Sequence, residues 1–247
     1  MKTNEMPFLD HLEELRWRII KALISVVILT IIAFAFSDYF IQWLLIPTEG
    51  LNAQINIQVL KVQSIFIIKL EIALIVGIVL SIPVILFQLW AFLAPGLYSH
   101  EKKYIWPLIF FAMLSFCVGG AFAYYIIIPY ALDFFLNLAP ENISNNIAID
   151  FYFGFILRII VVFGIVFELP VLSVILSHFG LITPKFLRKY RRHAIVIFFV
   201  LAAILTPPDP TTQIFLAIPL ILLYEVTILI SYIFSKKRER AAIASQS

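Results

Sequence analysis

Fifteen of the eighteen lysines and arginines in this 247-residue chain fall into four groups, and almost everything between the groups is apolar. The groups are Lys2/Arg16/Arg18/Lys21, Lys102/Lys103, Lys185/Arg188/Lys189/Arg191/Arg192 and Lys236/Lys237/Arg238/Arg240. Basic residues that flank apolar segments stay on the cytoplasmic side of a bilayer, so the four groups mark one membrane face. The intervening connections, residues 37–63, 129–150 and 206–213, hold only Lys61. This asymmetry predicts six crossings with both termini on the basic face.

The composition fits a membrane protein: hydrophobic residues make up 62% of the chain and charged residues 13%. Mean hydropathy is +1.02, outside the soluble globular range. Six helices and their loops use the whole length, so the chain is expected to be a single integral membrane domain with no soluble catalytic part. The net charge of +3 reflects the sorting of basic residues, and no basic patch is interleaved with aromatics as nucleic-acid binding would need. The lone Cys117 excludes an internal disulfide and a multi-cysteine metal site. His11, His100, His178 and His193 lack ligand spacing. There is no H-E-x-x-H, G-x-S-x-G or phosphate-binding glycine loop, so neither an enzyme nor a bound cofactor is expected. No small-residue cleavage site follows a short apolar region, and the first span is expected to be a retained anchor.

The spans are expected near residues 19–36, 64–92, 104–128, 151–177, 193–205 and 214–234. Leu9, Leu12, Leu15 and Ile19 repeat at helical spacing and lead straight into the first span. The second is about 43 Å long against a hydrocarbon core of ~30 Å, so it tilts, bends at Pro83 or projects. Lys69 near its outer end can snorkel to the interface. Pro129 is expected to open the second outer loop. Thr183-Pro184 reads as an N-cap and first helical residue. The fifth span holds only about 12 apolar residues, or ~18 Å, too short for a full bilayer. Its hairpin to the sixth span therefore sits low in the membrane.

Several polar residues stand out. Glu168 lies mid-span, roughly 15 Å along the helix from Arg158, too far for an intrahelical ion pair. A carboxylate there is costly unless protonated, hydrated or paired, which makes it a functional candidate. Pro170 frees the carbonyl of Val166, so local satisfaction of a kink is the competing reading. Glu225 in the sixth span follows the same logic. Glu14 stands four residues before Arg18, a spacing that stabilises a helix by about 0.3 kcal/mol. Glu101 follows Pro95-Gly96 at the second position of a helix that Ser99 can cap, where it complements the helix dipole. Thr206 and Gln213 flank the short hairpin, where they can cap the turn or recruit a polar group of another span. Pro47 reads as a turn former in the first outer segment.

The chain resembles the TatC family, the multispanning receptor of the twin-arginine protein translocase. The matching residues begin with Pro7-x-x-x-His11-Leu12-x-Glu14-Leu15-Arg16-x-Arg18, then Pro83 and Gln88-x-Trp90-x-Phe92-x-Ala94-Pro95-Gly96-Leu97-Tyr98-x-x-Glu101-Lys102. Phe163-Gly164, Phe167-Glu168-x-Pro170, Thr206-Pro207-Pro208-Asp209, Gln213 and Ala217-Ile218-Pro219 follow. The resemblance implies an all-α, six-span fold, N-in/C-in, a concave bundle with short helices 5 and 6. It implies that Glu101, Glu14, Arg16 and Phe92 bind twin-arginine signal peptides of folded cargo. Carboxylates suit that task, because they accept a guanidinium bidentately. On a basic face that carries only six acidic residues, they must capture a cationic signal locally. It further implies that Thr206, Gln213 and Pro47 dock single-span TatA/TatB subunits or shape contacts in a homo-oligomeric receptor. The expected setting is a bacterial inner membrane, with transport driven by the proton-motive force. The competing function is an ion-coupled small-solute transporter using Glu168 and Glu225, against which the lack of an internal repeat argues.

Overall fold

The computed structural model describes residues 8–49, 55–93, 105–138, 145–178, 182–205 and 210–244. Five helical stretches have the length and apolarity to cross a membrane: Leu12–Ala35, Ser64–Leu89, Ile109–Asn137, Ile149–Val174 and Pro210–Ile233. The protein is an all-α polytopic membrane protein. Its large exposed surface of Ile, Leu, Val and Phe is what a lipid-facing molecule presents. The described residues fall into two compact units, Met1–Leu44 with Lys61–Met113, and Leu45–Leu60 with Leu114–Ser247.

The first unit is organised by α1 (Phe8–Ala35) and α3 (Ser64–Leu93). The amphipathic start of α1 continues without a break into its apolar stretch, as the leucine spacing predicts. Helix α2 (Ser37–Glu49) begins after one tightened turn at Phe36, whose N–H donates to Ala33 O at 3.1 Å. Asp38 in the first turn of α2 favours the helix dipole and accepts Lys69 Nζ at 2.7 Å. Lys69 is thus held in an ion pair instead of only snorkelling. Gly77 lets α1 and α3 approach closely, because a Cβ there would lie 2.7 Å from the backbone N and Cα of Thr30. One turn on, the Ser81 hydroxyl donates to Gly77 O at 2.6 Å. Within Leu12–Ala35 only Ala33 is fully buried; a half-buried face with Ser25, Leu29 and Thr30 is turned from a broad exposed apolar one.

The second unit holds α5 (Ile128–Asn137), α6 (Ile149–Phe167), α7 (Leu169–His178), α8 (Pro184–Leu205) and α9 (Pro210–Ala244). The later part of α4 (Ile105–Phe122) also belongs to it. Pro129 does not open a loop. A π-helical turn over Ala123–Ile127 precedes it, and Pro129 sits in the first positions of α5, where a missing N–H costs little. The helix therefore carries on to Asn137. Pro47, expected in a turn, lies inside α2 near its end. One further element was not foreseen: β1 (Ile55–Gln58) pairs in parallel with β2 (Asn145–Ala148), with Ile57 opposite Ile147. Gln58 Nε2 donates to Asn146 Oδ1 across this pair at 3.3 Å.

Two glycines interlock α4 and α6. A Cβ at Gly119 would meet Phe163 O and Phe167 Cβ at 2.7 Å, and a Cβ at Gly164 would meet the ring of Phe116. Phe122 then packs on Phe163 and Phe167, with ring centroids 5.9 and 5.6 Å apart. The break between α6 and α7 lies against this interlock.

Helices α8 and α9 form an antiparallel hairpin. Thr183 caps α8 by accepting the Phe186 N–H at 3.2 Å, and Pro184 is the first helical residue, both as read from sequence. The first half of α8 carries Lys185, Arg188, Lys189, Arg191 and Arg192, which leaves only its second half apolar. Helix α9 is 35 residues long, so the pair is of unequal length. Its packing on α7 includes a buried hydroxyl pair, Ser177 with Ser231 at 2.8 Å.

Candidate functional site

Glu14, Arg16 and Phe92 belong to the first unit. The Glu14 carboxylate is engaged within α1: Arg18 Nε donates to Oε1 at 2.9 Å, and Arg18 Nη2 contacts the same oxygen. Both side chains are about one-quarter exposed (23% each). Arg16 is exposed and its guanidinium lies over Trp17, 5.4 Å from the ring centroid. Phe92 is half-buried at the end of α3. Glu101 and Thr206 lie outside the described residues.

Glu168 occupies the break between α6 and α7. The sequence dictates that break, since Pro170 has no N–H to donate to Val166 O. The chain compensates by turning the Glu168 N–H towards Ile165 O, at 3.1 Å, and Val166 O. Leu172 N–H then donates to Glu168 O at 2.9 Å and the helix resumes. Ser115 on α4 donates its hydroxyl to Phe167 O, and Ser173 donates to Pro170 O at 2.8 Å. Hydroxyls from α4 and α7 thus satisfy a backbone that lipid could not. The carboxyl of Glu168 is treated differently. Its Oε1 is buried with no hydrogen-bond partner among the described residues. A polar atom in that state is a natural receptor for water or a polar group from another span.

Glu225 is in a different situation. It forms a salt bridge with Arg191, both side chains at least one-third exposed. This pair belongs to the register of the α8–α9 hairpin. Gln213 Nε2 donates to Phe199 O at 2.9 Å, and Tyr224 Oη donates to Leu187 O at 3.0 Å. Gln213 is therefore a crosslink between the two helices, with its Oε1 left to engage others. Sequence reading missed Arg191, Ser115 and Tyr224 as site-building residues. A serine inside an apolar run was the available signal for Ser115, whereas the Arg191 pairing required the hairpin register. Among the described residues no group of three His, Cys, Asp or Glu could hold a metal ion.

The candidate residues thus separate into a charged group on α1 and α3 and an intramembrane polar group on α6 to α9. Known proteins share this chain from end to end. Residues 10–219 match the family model described as "Sec-independent protein translocase protein (TatC)". The TatC of Aquifex aeolicus is 39% identical over 95% of this chain and 98% of its own length. That of Carboxydothermus hydrogenoformans is 40% identical over 96% and 97%, and that of Desulforapulum autotrophicum 36% over 96% and 88%. A crystal structure described as "Twin Arginine Translocase Receptor- TatC" superposes with a TM-score of 0.81 at 40% identity, covering 90% of this chain and 97% of the other. The chain belongs to the TatC family of Sec-independent protein translocase proteins.

Proposed function

We propose that this protein is the multispanning receptor of a Sec-independent translocase. It binds paired-arginine signal peptides of folded cargo on its basic face and nucleates the translocation site with TatA/TatB-type single-span partners. The proton-motive force drives transport. The observation that carries this reading is the likeness, at 40% identity and TM-score 0.81, to a structure described as the twin-arginine translocase receptor. Both termini face the cytoplasm across a bacterial inner membrane, which the distribution of basic residues supports. The apolar second half of α8 supplies the sixth crossing, and the receptor works as a homo-oligomer.

Each candidate residue takes a role in this scheme. Glu101 and Glu14 accept the signal's guanidinium groups, with Arg16 and Phe92 lining the same groove. The Glu14–Arg18 pair supports this role in one respect: it shows a guanidinium already held by this carboxylate, through Oε1. Glu168, Thr206 and Gln213 receive polar groups of partner spans, and Pro47 shapes contacts between receptor copies. The buried, unpartnered Oε1 of Glu168 supports the first of these. Glu225, already paired with Arg191, is a poor proton carrier for the transporter alternative.

The test is site-specific photocrosslinking from position 101 in membranes, with an Arg-Arg signal peptide and its Lys-Lys version. Labelling of the Arg-Arg peptide alone is expected. Equal labelling of both peptides, or of neither, contradicts the receptor role.

A further inference from the structure

Two cations from different helices converge on one ring near the basic end of the hairpin. The guanidinium carbon of Arg188 on α8 lies 5.8 Å from the ring centroid of Tyr232 on α9, and Lys236 Nζ lies 5.9 Å from it. Beside them, Arg188, Arg191, Glu225, Ile228 and Leu229 line a cavity of about 520 Å³. Arg191 is matched there by Glu225. No carboxylate pairs with Arg188 or Lys236 among the described residues, and Lys185, Lys189 and Arg192 add to the same charge. Cations gathered around one ring in this way favour an anion near them.

The depth of the cleft says which anion. The apolar stretch of α9 ends at Ile233, so Tyr232 sits where the hydrocarbon gives way to headgroups. From there an exposed stripe of Ile233, Leu229, Val226 and Leu222 runs along α9 at helical spacing into the span. We propose that the basic ends of α8 and α9 beside this cleft bind an anionic phospholipid: its headgroup is held by the cations around Tyr232, Arg188 and Lys236, and an acyl chain lies along the stripe. An acidic protein segment would satisfy the charges but leave the stripe unused. Basic pockets between spans on the cytoplasmic side are suited to such headgroups.

Native mass spectrometry of the purified full-length protein, titrated with phosphatidylglycerol and with phosphatidylcholine, tests this. Phosphatidylglycerol is expected to be retained in preference to phosphatidylcholine. Arg188→Gln/Lys236→Gln is expected to weaken that retention by about 10- to 30-fold. Lys185→Gln/Arg192→Gln removes the same amount of charge, both from α8, and is expected to weaken it less than about threefold. A thermal melt establishes that each variant is folded. If the double variant does not fold, Lys236→Gln alone is expected to lose about fivefold. Equal losses in the two double variants would reduce the site to a diffuse field and overturn the proposal. So would equal retention of the two lipids, or displacement of bound phosphatidylglycerol by a poly-glutamate peptide at lower concentration than by more lipid.

Discussion

The two compact units solve the same problem, packing helices in lipid, by opposite means. In the first, α1 and α3 meet through one close backbone approach at Gly77 and Thr30, and the charged side chains stay near the surface in the Glu14–Arg18 and Asp38–Lys69 pairs. In the second, Gly119 and Gly164 each accept a phenylalanine of the facing helix, and hydroxyls repair the backbone around a proline break. The difference teaches where polar chemistry can be kept. An ion pair that supplies its own partner needs little support. A carboxyl such as Glu168, half-buried and with Oε1 fully enclosed, needs a frame that holds it in place.

Substitutions that fill or strip this frame should therefore cost more than those that remove a surface charge. Gly119→Leu drives a side chain into Phe163 O and Phe167 and is expected to cost about 3 kcal/mol or more, read as lost abundance and a lower melting temperature in detergent. Ser115→Ala leaves Phe167 O without its hydroxyl donor and is expected to cost about 1–3 kcal/mol by the same melt. Gln213→Ala removes the amide bridge to Phe199 O and is expected to cost about 1 kcal/mol, with the melt again as readout. Glu14→Gln is expected to change stability by less than about 1 kcal/mol, since the pair is a local i,i+4 contact within one helix. The same variant should lower affinity for an Arg-Arg signal peptide about tenfold in an anisotropy titration, the loss of one charge-assisted contact. If Glu14→Gln destabilised the fold as much as Ser115→Ala, the contrast between the units would collapse.

Five apolar helices of spanning length were legible because lipid imposes a crude code of apolar length and flanking charge; the expected span 193–205 is not among them. The Thr183 cap and the break at Pro170 were legible too, since both act within one turn of helix. What stayed hidden depends on pairing across distance or on helix type. Pro129 looks like a helix stop, but a π-helical turn before it restarts the helix and makes the proline harmless. The β1–β2 pair joins segments far apart in the chain, and four residues of each strand carry too little pattern to reveal a partner. Glu225 read as an isolated intramembrane acid, because its arginine lies 34 residues away across a hairpin whose register only the fold sets. Glu168 was recognisable by residue type and depth, but the enclosure of its Oε1 is set by packing around the helix break that only the fold shows.

The most direct test of this division uses Glu168→Leu in membranes, scoring signal-peptide photocrosslinking from position 101 alongside export of a folded Arg-Arg cargo. The account predicts full crosslinking with export lost, because recognition and the intramembrane step use different parts of the chain. Loss of crosslinking together with export, or export that continues unchanged, would contradict it.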